Sequence, residues 1–200
     1  AMPTSLSFQN FIDVWNKSNY GLVFLNTVYF AAVSTLLVTV ISSMAGYKLA
    51  RMNNRASNRL VMVFTIALML PFPVVMIPIA TVATRLGITN NLTLISVLNA
   101  GFSCSMAIMM YMQTVRSIPR ELEECARIDG SGAYGIFFRI IFPILKPMTG
   151  TLAIIYVIRC WNDLFLPLIL ITKKQFYTIP MSQLTFYNEF TNNRWNLLLA

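Results

Sequence analysis

The chain has 200 residues, 56% hydrophobic and 11% charged, with a formal net charge of +8 and a mean hydropathy of +0.64. So small a charged fraction, against about 25% in soluble domains, excludes an ordinary water-soluble domain and makes lipid the natural solvent. The surplus of Lys and Arg would suggest nucleic acid in a soluble protein, but here the bases lie between apolar runs, so membrane topology accounts for them and no nucleic-acid partner is expected.

Several site types are absent from the residues themselves. Histidine does not occur, which removes the commonest general base and metal ligand. Cys104, Cys125 and Cys160 lie too far apart for a paired zinc cluster, and an odd number inside or beside apolar runs points to buried thiols. No G-x-x-x-x-G-K-[ST] run cradles a phosphate. The chain is therefore expected to carry no catalytic set, metal or cofactor, and any ATP must bind on another subunit.

In chain order, residues 1–20 (AMPTSLSFQNFIDVWNKSNY) lack the basic start and apolar middle of a signal peptide and read as a loop. Four windows are long and apolar enough to span a bilayer: about 22–47, 60–82, 93–115 and 148–171. The predicted fold is an all-α, multi-pass transmembrane helix bundle. The first window carries Thr27, Ala31, Ser34 and Thr35 along one side, a small-residue face for close helix packing. The second contains Pro71, Pro73 and Pro78, which would kink it or open it onto a pathway. Its Met62, Met69 and Met76 read as packing filler.

The bases set the orientation. Lys48, Arg51, Arg55 and Arg59 follow the first window, and Arg116, Arg120, Arg127, Arg139 and Lys146 follow the third. Both connections are predicted to be cytoplasmic, opposite Lys17, Arg85, Lys173, Lys174 and Arg194. The tail "NNRWNLLLA" stops as a new apolar run begins, so the chain reads as one membrane domain, 1–200, cut from a larger subunit.

The cytoplasmic connection 116–147 is the polar exception. Pro119 suits a first helical turn, Glu121, Glu123 and Glu124 complement the positive helix end, and Gly130 after Asp129 is a stop signal, predicting a helix over 119–129. Ala133, Ile136, Phe137, Ile140 and Ile141 then form one apolar stripe, ended by Pro143 and Pro147. Three acids near the start of the first helix disfavour an anionic lipid surface. Docking into a protein groove, with Cys125 and Ala126 as a small-residue face, fits better.

The run E124-C-A-x-x-x-G130, followed after nine residues by I140-x-F142-P143, closely resembles the EAA loop of the membrane subunits of bacterial ATP-binding-cassette importers. Cys125 stands for the first Ala of that pattern and Phe142 for its Leu. "PRELEECARIDG", "MLPFPVVMIP" and "WNDLFLPLIL" are similar to the carbohydrate-uptake branch, in particular its second, maltose- and glycerol-phosphate-type permease. The resemblance implies a six-span subunit of the bacterial inner membrane, with the four windows as its second to fifth spans. It implies a homologous sister permease, a cytoplasmic ATP-binding-cassette ATPase dimer and an extracytoplasmic sugar-binding protein as partners. By position, Glu124, Ala126, Asp129 and Gly130 would contact the ATPase, and Ile140 and Pro143 would anchor the loop to the bundle.

The fourth window holds Arg159 and, one turn later, Asp163. Charges at bilayer depth are expected either to pair with each other or to face a cavity. Trp161, Asn162 and Asp163 resemble a Trp-Asn-Asp stretch of the sugar branch, which implies a sugar route with Trp161 stacking on a ring and Asn162 and Asp163 bonding hydroxyls. Arg159 points further, to an anionic ligand such as an acidic oligosaccharide or sugar phosphate. The alternatives are an importer of amino acid, peptide or polyamine, which the loop does not distinguish, and a secondary transporter, which would need more intramembrane acids than Asp163. An intramembrane enzyme would need a clustered nucleophile or acid set, and none is visible.

Overall fold

The computed structural model describes residues 9–52 and 54–187. The tail "NNRWNLLLA" lies outside the described residues. Two helices run long and apolar enough to cross a membrane alone, α2 (Tyr20–Arg51) and α5 (Leu92–Arg116). At 1.5 Å per residue α2 is about 48 Å long, well beyond the ~30 Å hydrocarbon core. They pack side by side through the small-residue face: Thr27, Ala31, Ser34 and Thr35 are all buried, and the face continues through Ser42, Ser43 and Gly46. Ser34 Oγ donates to the Ser96 carbonyl at 3.3 Å. A Cβ on Gly46 would lie 2.7 Å from Tyr111 Cβ, so this crossing needs glycine.

Residues 9–18, expected as part of a loop, form a helix instead, α1 (Gln9–Ser18). Its polar and apolar residues alternate with helical period, a pattern too short to read as a span. Asn19, left-handed at φ 50, separates it from α2.

The second window is not one straight helix. It divides into α3 (Arg55–Met69) and α4 (Phe72–Arg85), bent by 103°. Leu70 precedes Pro71 and takes the extended conformation that a following proline imposes, ψ 113. Pro71 then caps α4, Pro73 sits in its first turn, and Pro78 is carried inside it. Only Ser57 and Ala83 of the pair are buried, and Met62 and Met69 are exposed on this chain. Met62 and Met69 thus fill no core of this chain, and Met76 is half-buried.

The fourth window is also broken. α9 (Lys146–Trp161) is about 24 Å long, short of the bilayer core. It ends at Asn162, whose side-chain amide donates to the Ile158 carbonyl at 2.9 Å. Asp163 Oδ1 accepts from Leu166 N at 3.4 Å, opening α10 (Phe165–Leu170). Counting α3 with α4 as one bent span, and α9 with the preceding Ala133–Ile144 as another, the segment has up to four by length and composition.

The polar connection between α5 and α9 begins later than expected: Arg120, not Pro119, caps α6 (Glu121–Ile128). α7 (Ala133–Ile136) then passes into a π-helical turn, Phe137–Ile141, and α8 (Phe142–Ile144). Pro143 does not stop the chain. The wide turn, with Phe142 N bonded to the Phe137 carbonyl, accommodates the proline ring and its missing donor. The break comes at Leu145, where the direction turns by 73° into α9.

The basic connection after α2 and the polar segment after α5 meet at one end of the bundle, as the charge pattern requires. The opposite end is closed by backbone bonds to two asparagines. Asn90 Oδ1 accepts from Thr172 N at 2.8 Å and Lys173 N at 2.9 Å, and Asn26 Nδ2 donates to the Gln175 and Tyr177 carbonyls at 2.9 and 3.0 Å.

Candidate functional site: a polar elbow and a charged cavity

The elbow is built around α6. Its last turn closes through Gly130, left-handed at φ +83, with Gly130 N bonded to the Arg127 carbonyl and Ser131 N to the Ala126 carbonyl. These are the two bonds of a Schellman motif, and they explain the glycine. Nothing in this chain lies within 4 Å of a Cβ placed there, so the left-handed turn, not crowding, is the constraint.

α6 has an inner and an outer face. Glu123 and Ala126 point into the bundle, 3% and 6% exposed. The outer face shows Glu124, Cys125, Asp129 and Gly130, with Leu122 and Ile128 (86% exposed) as large apolar groups among charges, and on the adjoining α7 Tyr134 is 73% exposed. Ala126 therefore packs in the chain's own core, and Cys125, expected as a buried thiol, is open. The reason is the helical period: with Glu123 turned inward, Ala126 three residues on must follow it.

Anchoring is shared more widely than expected: the half-buried Ile140 packs against the core beside the buried Ile136, Phe137, Ile141 and Leu145, whereas Pro143 is exposed. Inside the elbow, Arg51 Nε donates to Glu123 Oε1 at 2.6 Å and Tyr47 Oη donates to Glu123 Oε2 at 2.9 Å. Arg51 Nη2 also donates to the Ile118 carbonyl at 3.0 Å, and Arg127 stands 3.8 Å from Glu123. The ring of Tyr47 rests on Phe137 at 5.5 Å. Sequence reasoning gave Glu123 only a helix-end role; its position three residues before Ala126, on the inner face, was the available signal.

The second feature is a cavity of about 280 Å³ where α4, α5, α9 and α10 converge, lined by Phe72, Asn99, Phe102, Arg159, Asn162 and Asp163 among others. Arg159, Asn162 and Asp163 come together here as the sequence suggested. Trp161 does not line it: its ring packs edge-on against Phe24 of α2 at 5.7 Å. Asp163 Oδ2 accepts from Asn99 Nδ2 at 2.9 Å, so its second oxygen is also held. Among the described residues, Arg159 and Asp163 form no ion pair; the pairs found join Glu123 to Arg51 and Arg127. The short i, i+4 pairing fails because Asp163 lies past the end of α9, turned toward α5 and α10. Asn99 and the edge-to-face pair Phe72–Phe102, 6.0 Å apart, were missed; an amide in the middle of an apolar span was the readable cue for Asn99.

The chain has relatives. The family model for the binding-protein-dependent transport system inner membrane component matches residues 38–197. The chain is 32% identical over 200 residues to the probable starch degradation products transport system permease protein AmyC of Thermoanaerobacterium thermosulfurigenes, covering all of this chain and 72% of that protein. It is 33% identical over 193 residues to the melibiose/raffinose/stachyose import permease protein MelC of Bacillus subtilis, covering 96% of this chain and 70% of that protein. Its fold matches a crystal structure of a bacterial ABC transporter involved in the import of the acidic polysaccharide alginate, with a TM-score of 0.84 and 20% identity over 96% of this chain and 68% of that one.

Proposed function

Because the chain belongs to the binding-protein-dependent transport system inner membrane components, we propose that it forms half of the transmembrane pathway of an ATP-driven carbohydrate importer and couples to the ATPase through α6. The partners in this reading are a homologous sister permease, a cytoplasmic ATPase dimer that binds the ATP, and an extracytoplasmic sugar-binding protein. The chain itself performs no chemistry on its cargo.

One observation carries the coupling: a short, rigidly capped helix at the basic end of the bundle leaves Ile128 almost bare, as the adjoining α7 leaves Tyr134, while its inner face is fixed to the bundle. Exposed apolar groups rimmed by charge are the composition of a docking peg. When the ATPase dimer closes on nucleotide, a seated peg moves with it, and the spans rock between outward- and inward-open arrangements. Glu124, Asp129 and Gly130 lie on the face that would meet the ATPase. Ala126 supports them from inside.

The cargo is an oligosaccharide, and Arg159 favours an acidic one. Its guanidinium stands in the cavity wall with no carboxylate of the described residues within salt-bridge distance, and such a group recognises carboxylate or phosphate. The aromatic pair Phe72–Phe102 offers the apolar wall that a sugar ring needs. A neutral oligosaccharide is the second reading, favoured by the relatives named for starch degradation products and for melibiose, raffinose and stachyose. Co-purification of the complete subunit with its partners, followed by ATPase assays with binding protein loaded from a panel of acidic and neutral sugars, tests both. Stimulation by sugar-loaded binding protein is expected, and insensitivity to every sugar would overturn the carbohydrate assignment.

A further inference from the structure

We infer that Glu123 is a positioning residue that locks the coupling helix to the cytoplasmic end of α2, so that movement of α6 is passed to the longest span of the chain. This rests on the reading of α6 as the ATPase-coupling helix.

The observation is a buried carboxylate with both oxygens engaged by one neighbouring helix. Arg51 and Tyr47 are four residues apart on α2, hence on one face, and each takes one oxygen of Glu123. Arg51 reaches a second point, the Ile118 carbonyl just before α6. Two attachments five residues apart fix the rotation of α6 as well as its place. Tyr47 adds a third through its ring on Phe137, the first residue of the π turn after α7. The covalent links alone would leave an eight-residue helix between two turns free to swivel when pulled.

Further, α2 leads directly to the rest of the bundle. Four residues before Arg51, Tyr47 is next to Gly46, where α2 lies so close to α5 that a Cβ would lie 3.0 Å from the Ile108 carbonyl and the Met112 amide. A displacement delivered at Glu123 is thus carried by a tightly packed helix pair and does not dissipate in loose side chains. A charged clasp is suited to this task because it is directional, with distances of 2.6 and 2.9 Å to α2, whereas the other cation near Glu123, the exposed Arg127 of α6 itself, stands at 3.8 Å and ties it to no other helix. Had the site served only to fill space, an apolar group in place of Glu123 would do as well.

The test uses the assembled importer with its sister permease and ATPase in lipid nanodiscs. The three native cysteines are replaced by serine and a reporter, Phe102→Cys, is set in the cavity wall. The alkylation rate by a membrane-impermeant maleimide is compared between the resting and the vanadate-trapped state, a readout that needs no cargo. In Glu123→Gln, subunits are expected to co-purify and hydrolyse ATP while the difference between the two states falls roughly tenfold, within the usual range of coupling energies. Tyr47→Phe is expected to lower it less, and the reversed pair Arg51→Glu with Glu123→Arg to recover most of it. An undiminished difference in Glu123→Gln overturns the inference. So does loss of assembly in both Glu123→Gln and Tyr47→Phe, which would assign the clasp to folding alone. Ile128→Asp separates the two readings: it breaks the outer face only, and if it leaves both ATPase association and the alkylation difference intact, the docking role of α6 fails before the clasp is in question.

Discussion

Glu123 and Arg159 are both charges set within an apolar bundle, and their surroundings are opposite. Glu123 is 3% exposed, with every lone-pair direction that matters met by Arg51 and Tyr47. Arg159 is exposed into a cavity, and the carboxylate one turn away bonds Asn99 and the start of α10 instead. A charge fully satisfied by its own chain holds elements together; a charge left open beside polar and aromatic groups is available to something that arrives from outside. In the proposed reading, force from the ATPase and selection of cargo fall to these two chemically distinct kinds of charge.

The sharpest way to break this contrast is to remove the partner of Glu123. Arg51→Ala would leave the buried carboxylate with only the Tyr47 hydroxyl and the exposed Arg127 at 3.8 Å, at a cost of up to about 3–5 kcal/mol, and the expected outcome is a marked loss of thermal stability of the purified subunit together with loss of uptake. The same truncation at Arg159 should cost little stability. Equal stability losses for the two variants in a thermal-shift assay would erase the distinction between them.

A smaller effect is expected at the turn that aims the coupling face. Gly130 has open space around it but a φ of +83, so Gly130→Leu strains the backbone by about 1–2 kcal/mol rather than clashing. Membrane insertion is expected to survive, and uptake to be lost because the Schellman turn no longer presents Asp129 and Gly130 in the same way. Normal uptake in Gly130→Leu, measured beside its membrane abundance, would move the coupling contact elsewhere on the elbow.

Much of this was legible in the residues. The small-residue stripe of the first window predicted the face that α5 covers, and the bases predicted that the connection after α2 and the elbow share one end, because both follow from helical period and from loop charge alone. In the window over 60–82 the prolines made a kink legible but not a turn of 103°, and the window over 148–171 was legible as membrane but not as a broken helix. Hydropathy sums over a window and is blind to a backbone turn, whereas Leu70 is forced to extend by Pro71 and Asn162–Asp163 stop one helix and start another through their own side-chain bonds. The clasp was not legible at all, since Arg51 and Glu123 are joined across 72 residues and only the packing of α2 on α5 brings them together. Trp161 misled for a related reason: its neighbours in sequence face the cavity, but one step along a helix turns a side chain by about 100°, which sends it to Phe24.

The last contrast lies inside the cavity and concerns selectivity, where the expected energies are smallest. Arg159 offers a fixed positive charge to an acidic cargo and gives a neutral sugar only ordinary hydrogen bonds, so its removal should penalise the first more than the second. Charge-assisted hydrogen bonds contribute about 1.5–3 kcal/mol against about 1 for neutral ones, a difference of roughly 1 kcal/mol, or about fivefold in relative uptake. Arg159→Ala is therefore expected to lower uptake of an acidic oligosaccharide about fivefold relative to a neutral one, in competition assays with the complete importer. Trp161→Ala, which alters the contact with Phe24 outside the cavity lining, should leave that ratio where it was. A shift with Trp161→Ala and none with Arg159→Ala would reverse the assignment of the two residues, making the indole the selector and the guanidinium a bystander in the wall.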